Sequence, residues 1–133
     1  MDWKRAMKGV LVIAALSEAA TGLALLIVPS LVGLLLLGEE LTGIAIPVAR
    51  VTGIALVALG LACVPAGEAG QGLSGMLIYS LLITLYLACL GLGGEWVGSL
   101  LWPAAGFHAV LTILLAGAWL KCRPIRKTEV RRH

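Results

Sequence analysis

Three ionisable side chains lie inside long hydrophobic stretches of this sequence: Glu18, Arg50 and His108. Glu18 interrupts the apolar run GVLVIAALSEAATGLALLIVPS, residues 9–30. A charge in hydrocarbon costs on the order of 3 kcal/mol by insertion scales, so a carboxylate in this run needs a partner or a function. A carboxylate, a guanidinium and an imidazole can pair with one another, carry protons or hold the polar head of a ligand.

Arg50 is the one basic residue, and Glu18 the one acidic residue, that the hydrophobic pattern places within the membrane. Counted from the same membrane face, Glu18 lies about 15 Å deep and Arg50 about 6 to 10 Å deep, a difference that an arginine side chain can bridge. We therefore expect a buried Glu18–Arg50 ion pair, since a forked guanidinium stabilises a carboxylate in a low dielectric. A buried pair is weak evidence for stability, so a role in helix register and a role in a binding site both stay open.

Further polar groups are expected near this level. His108 lies about 15 Å from the same face, as Glu18 does, although a histidine that only packs in the core is the alternative. The third span contributes hydroxyl groups near this level, while Tyr79 and Ser80 are expected deeper, toward the other face. The predicted ligand-binding set is Glu18, Arg50, Thr84, Tyr86 and His108.

The elements that must position these residues are membrane helices. Of 133 residues, 60% are hydrophobic and only 13% are charged, and about 20 apolar residues suffice to cross a bilayer. The sequence predicts an all-α integral membrane protein with one domain, a four-transmembrane-helix bundle. A short interfacial helix, 30–38, is expected between the first two spans, with Ser30 as its N-cap. The predicted spans are 5–28, 44–64, 73–92 and 99–120, followed by a basic tail, 121–133.

The first of these spans begins like a signal peptide, because basic residues precede an apolar stretch. The apolar run continues to Val28, beyond a typical signal-peptide core, so we expect a membrane span instead. Nine of the ten basic residues lie at the two ends of the chain. By the positive-inside rule, both termini are expected in the cytoplasm of a bacterial inner membrane. The basic tail lacks interleaved aromatic residues, so it favours contact with membrane lipids over nucleic acid.

Several cofactor sites are excluded by the number of ligands. The sequence has no HExxH motif, no carboxylate pair inside the membrane and no second histidine within the bundle, so a di-iron site or a bis-histidine haem within one chain is not expected. A haem held by His108 alone stays a minor alternative, and no metal site is predicted. The cysteines, Cys63, Cys89 and Cys122, are far apart in sequence and are expected to be inert.

A short repeat, ATGLALL at 20–26 and VTGIALV at 51–57, places Gly22 and Gly53 in matching contexts. Glycine at such positions lets two membrane helices approach closely, which is the structural interpretation of the repeat.

The segments SEAATGLALLIVP, VARVTGIALVALG and WPAAGFHAVL, in this order, resemble the DoxX-like group of small four-helix bacterial inner-membrane proteins. In this resemblance Arg50 and Gly53 match the arginine-containing helix, and His108 matches the late histidine. The resemblance implies a small subunit associated with membrane redox chemistry and quinone. The chain lacks a cysteine pair for thiol chemistry, so redox catalysis by the chain itself is not implied.

The chain is also similar in a general way to the small multidrug resistance transporters, four-helix proteins with an essential glutamate in the first helix, which Glu18 would match. An arginine beside that glutamate and the strong basic bias of the termini argue against this resemblance. The leading hypothesis is an accessory or binding protein for a quinone-like or lipid-like head, or a support for a membrane redox complex. A proton-coupled exporter using Glu18 and a membrane enzyme subunit are the alternatives. A homo-oligomer and a larger membrane complex are both compatible with the sequence.

Overall fold

The computed structural model describes residues 3–64 and 70–122, and these residues form five helices with no strand. Four of the helices are long and apolar enough to cross a membrane, so the chain is a multi-pass membrane protein. The helices are α1 (Trp3–Ile27), α2 (Pro29–Leu37), α3 (Ala45–Cys63), α4 (Gly70–Gly93) and α5 (Leu101–Cys122). The predicted bundle, with a short helix between its first two spans, is confirmed.

The predicted helix bounds agree with the structure to within three residues, and the N-cap of α2 is the point that differs. The prediction that Ser30 caps this helix is wrong, because α2 begins one residue earlier, at Pro29, and Val28 occupies the N-cap position without a side-chain hydrogen bond. Proline favours the first helical position, since its φ angle is already helical and no N–H is lost. The Ser30 hydroxyl instead donates to the Leu41 carbonyl at 2.8 Å, which ties α2 to the loop that follows it.

Helix α1 packs mainly against α3, and α4 mainly against α5. The first of these contacts depends on the glycines of the repeat. A Cβ atom added at Gly22 would lie 2.6 Å from the Gly53 carbonyl oxygen, and one added at Gly53 would lie 2.5 Å from the Gly22 carbonyl oxygen. Further along, a Cβ at Gly60 would lie 2.6 Å from the Ala15 carbonyl oxygen, so the two helices are antiparallel. The predicted close approach at Gly22 and Gly53 is confirmed.

The two ends of the bundle are closed differently. At one end, Gly98 and Leu100 donate backbone hydrogen bonds to the carbonyls of Leu36 and Leu35, so the loop before α5 holds α2 across the bundle. At the other end, the Lys121 ammonium lies 4.7 Å from the centroid of the Trp3 ring. The start of α1 and the end of α5 therefore lie on the same side. We call these the α2 end and the terminal end.

An apolar core lies in the half of the bundle nearer the terminal end and combines small and large side chains. Its buried members are Met7, Leu11, Ala14, Ala15, Cys63, Leu73, Met76, Leu111, Leu115 and Ala118. Many other large apolar side chains point outward, such as Leu16, Ile54, Leu82 and Ile113. Outward apolar side chains suit a bundle whose solvent is lipid, where the helices satisfy their own backbone groups.

The glycine contact between α1 and α3 can be tested by adding one methyl group. We expect Gly22→Ala to lower the free energy of unfolding by about 1–3 kcal/mol, because the methyl group must displace the backbone of α3. Gly75→Ala is the matched control, since a Cβ atom there meets no atom within 4 Å. Thermal unfolding in mild detergent measures both. Equal stability of the two variants would contradict the close packing of α1 on α3.

Candidate functional site

Glu18 lies on the inward face of α1 and is only 2% exposed. The buried residues of α1 are Met7, Leu11, Ala14, Ala15, Glu18 and Gly22. Their spacing of three or four residues defines one face of a helix. The apolar and small residues on this face direct it into the bundle, and the carboxylate is carried inward with them.

His108 of α5 is the ionisable partner that the structure places beside Glu18. Its Nδ1 atom lies 3.8 Å from Oε1 of Glu18, and the imidazole side chain is 13% exposed. This separation is within ion-pair distance but too long for a hydrogen bond. Among the described residues, the buried Nδ1 atom has no hydrogen-bond partner. The imidazole therefore faces the carboxylate with unused hydrogen-bonding capacity.

Tyr79 of α4 completes the arrangement. Its hydroxyl lies within interaction range of the carboxylate of Glu18, to which it can donate a hydrogen bond. Its ring meets the His108 ring edge to face, with the ring centroids 6.0 Å apart and the planes at 77°. A carboxylate, a phenol and an imidazole from three different helices thus meet inside the bundle. We call Glu18, Tyr79 and His108 the polar cluster.

Arg50 does not belong to the polar cluster, and the predicted Glu18–Arg50 ion pair is wrong. Arg50 is exposed and lines a cleft near the α2 end. The register of α1 against α3 gives the reason. Glu18 lies four residues before Gly22, and Arg50 three residues before Gly53. Because the helices are antiparallel and these glycines meet, the two offsets add to about 10 Å along the bundle.

Thr84 and Tyr86, the residues predicted for the site on the third span, are also not members of the polar cluster. The Thr84 hydroxyl donates to the Ser80 carbonyl in its own helix at 2.7 Å, and Tyr86 is 61% exposed. Tyr79 and Tyr86 are seven residues apart and so share one side of α4. The count of depth along the helix placed Tyr86 near the level of Glu18 and Tyr79 deeper, whereas the structure brings Tyr79 to Glu18 and His108. Ligand contact by Thr84 or Tyr86 stays a prediction.

One buried polar group lies next to the cluster in sequence. Ser80 is fully buried, and its hydroxyl oxygen has no hydrogen-bond partner among the described residues. Buried hydroxyls usually have a partner, since leaving one unsatisfied costs about 1–3 kcal/mol. Tyr79 and Ser80 therefore bring two adjacent hydroxyl groups into the same level of α4.

An apolar cavity of about 300 Å³ lies between α1, α2 and α5. It is lined by Thr21, Ala24, Val28, Leu31, Val32, Leu35, Leu36, Leu100 and Ala104. Thr21 follows Glu18 by three residues, and Ala104 precedes His108 by four. The cavity therefore starts about one helical turn, or about 5 Å, from the polar cluster on the side of the α2 end.

Neither metal ligands nor relatives identify the ligand of this site. Within residues 3–64 and 70–122, no group of three or more His, Cys, Asp or Glu residues could hold a metal ion. Comparison with known protein families, curated proteins and solved structures gives no match to this chain. The resemblances to DoxX-like proteins and to small multidrug resistance transporters therefore stay predictions, and the function must be inferred from the geometry.

The contacts of Glu18 can be tested by double-mutant cycles. We expect Glu18→Met and Tyr79→Phe each to destabilise the bundle, and the double variant to recover about 1 kcal/mol, because the single variants leave a polar group unpaired in the core. Unfolding in mild detergent gives the change in the free energy of unfolding for each single variant and for the double variant.

The control is the cycle of Glu18→Met with Arg50→Gln. Its effects should add to within about 0.5 kcal/mol, as for residues that do not touch. A larger coupling of Glu18 to Arg50 than to Tyr79 would contradict the polar cluster.

Proposed function

We propose that this protein binds the head of a quinone-class molecule at the polar cluster, as an accessory protein of membrane redox chemistry. The observation that carries this proposal is the meeting of a buried carboxylate, a phenol and an imidazole within one helical turn of an apolar cavity. A quinone has the same division: a ring with two oxygen atoms and a long apolar tail.

The side chains of the cluster match both redox forms of such a ring. The oxidised ring carries carbonyl oxygens that accept hydrogen bonds, which a ring N–H of His108 can donate, as can the Tyr79 hydroxyl once it turns from the Glu18 carboxylate to the ring. The reduced ring carries hydroxyl groups that donate hydrogen bonds, which the Glu18 carboxylate can accept. The Nδ1 atom of His108 has no hydrogen-bond partner within the described structure, so it is available for a hydrogen bond to the ring of the ligand. Exchange of protons with the ring also requires groups of this kind.

The cavity suits the apolar part of the ligand. Its volume of about 300 Å³ lies at the lower end of the range for small-molecule pockets, enough for a ring or the first part of a tail. Leu31 and Leu100, which line it, are 49% and 47% exposed, so the cavity borders the lipid-facing surface between α2 and α5. A tail can therefore leave the cavity into the bilayer, and the ligand can enter from the bilayer without crossing water.

Further support comes from the sequence. The resemblance to the DoxX-like group points to quinone and to redox complexes of the bacterial inner membrane. The basic residues at both ends of the chain favour cytoplasmic termini, which would put the α2 end on the opposite face. In this arrangement the protein binds the ligand for a partner complex and carries no redox group of its own.

A proton-coupled exporter is the second candidate function, and one observation favours it. The absence of an Arg50 contact removes the main sequence argument against a proton-carrying Glu18, since the carboxylate faces His108 and Tyr79 instead. In this alternative, substrate and proton compete for Glu18 and the cavity near the α2 end lies on the transport path.

Binding of decylubiquinone to the full-length protein in lipid nanodiscs tests the proposal by calorimetry. We expect Tyr79→Phe, Glu18→Gln and His108→Gln each to weaken binding about tenfold, the size of one lost hydrogen bond in a buried site. Tyr86→Phe is the comparison on the same side of α4. Because Tyr86 is 61% exposed and lies outside the polar cluster, this variant should bind as the wild type does, and weaker binding would instead support the ligand contact of Tyr86 predicted from the sequence.

Equal binding by the Tyr79→Phe and Tyr86→Phe variants, or no binding by the folded wild type, would contradict the proposal. Proton release on addition of an organic cation to wild-type vesicles, lost in Glu18→Gln, would favour the exporter.

A further inference from the structure

A second cavity, separate from the polar cluster, lies at the junction of α1, α2 and α3 near the α2 end. Its volume is about 450 Å³, and both Arg50 and Glu40 line it. Its remaining lining is largely apolar and includes Ile27, Leu31, Leu34 and Ile46. We call this the arginine cleft. It thus combines one cation and one anion with aliphatic walls.

The level of Arg50 places it near the membrane surface. Arg50 follows Ala45, the first residue of α3, by five residues, or about 7.5 Å along the helix. An arginine at this depth extends its guanidinium toward the headgroups while its stem stays in hydrocarbon. A guanidinium there can bind a phosphate through two parallel hydrogen bonds. Basic pockets between membrane helices bind lipid headgroups in this way.

The loop that carries Glu40 is held in place by α2. The Ser30 hydroxyl donates to the carbonyl of Leu41 at 2.8 Å. A Cβ atom at Gly33 would lie 3.0 Å from the Glu39 carbonyl oxygen and 2.5 Å from Leu41, so the loop lies directly on α2. Glu40 lies between these two anchored residues. The backbone that carries Glu40 to the cleft is therefore held against α2.

Arg50 and Glu40 line the same cleft, but within the described residues they form no salt bridge with each other. Two opposite charges that border one cavity without pairing match a ligand that carries both signs. A phospholipid with a primary amine has an anionic phosphate and a cationic ammonium separated by two carbons, and its acyl chains suit the apolar walls. An anionic phospholipid would satisfy Arg50 but would face the carboxylate of Glu40 unfavourably.

We propose that the arginine cleft binds the headgroup of a phosphatidylethanolamine-type lipid, with its phosphate on Arg50 and its ammonium on Glu40. The polar contacts of this site are separate from those of the quinone-class ligand, since none of its lining residues belongs to the polar cluster, although Val28 and Leu31 line both this cleft and the apolar cavity. Free phosphate shares with this lipid only the contact with Arg50, because inorganic phosphate has no ammonium group for Glu40 and no acyl chain for the apolar walls.

Native mass spectrometry of the full-length protein in detergent tests this with three probes: short-chain phosphatidylethanolamine, short-chain phosphatidylglycerol and inorganic phosphate. We expect the wild type to prefer the ethanolamine lipid about tenfold, from one charge-assisted contact. Arg50→Gln should weaken both lipids about tenfold. Glu40→Gln should weaken only the ethanolamine lipid and so remove the preference.

Two matched controls keep the outcome specific. Glu39→Gln changes the adjacent exposed carboxylate, which does not line the cleft, and Arg5→Gln changes an exposed arginine at the terminal end. Both should bind the lipids as the wild type does. Unchanged lipid binding in Arg50→Gln, an unchanged preference in Glu40→Gln, or inorganic phosphate binding as tightly as the lipid would each overturn the proposal.

Discussion

A carboxylate inside a lipid-embedded bundle must find its partners within the protein, and this constraint governs the arrangement around Glu18. Hydrocarbon offers no hydrogen bonds, so a buried acidic group is costly unless neighbouring helices supply donors. In this protein α4 supplies the Tyr79 hydroxyl and α5 supplies the His108 imidazole. The carboxylate therefore links the α1–α3 pair of helices to the α4–α5 pair. A group that only stabilised the bundle could be replaced by an apolar residue, which is why the cluster favours a binding function.

The glycines of α1 and α3 determine which polar groups can meet. Because Gly22 and Gly53 bring the two backbones into contact, the register of these helices is fixed, and the levels of Glu18 and Arg50 are fixed with it. That register separates two polar regions: the polar cluster deep in the bundle and the arginine cleft near the α2 end. One region combines proton-exchanging groups with an apolar cavity, whereas the other presents separated opposite charges near the membrane surface. The different chemistry of the two regions suits two different membrane-soluble ligands.

The sequence predicted the helices well because a membrane span is marked by length and hydrophobicity, which are local properties. It also placed Glu18 and His108 at one depth, and identified Gly22 and Gly53 as a packing contact. The Arg50 contact was predicted wrongly, since pairing the lone acid with the lone base ignored the direction of each side chain and the register between helices. Tyr79 was expected deeper than Glu18, because the sequence does not show how far α4 is shifted along its axis against α1 and α5. The start of α2 differed by one residue, where proline chemistry outweighed the capping preference of serine.

The most direct test of the polar cluster as a ligand site is nitrogen NMR of the histidine rings in lipid bilayers. The chain has two histidines, so labelling reports on His108, with the terminal His133 as an internal control. We expect decylubiquinone to shift the His108 ring nitrogen signals and to leave those of His133 unchanged, and we expect Glu18→Gln to reduce the shift while Arg50→Gln preserves it. Saturating ligand that leaves the His108 signals unchanged, while binding is confirmed on the same sample, would contradict the assignment of the cluster as the binding site.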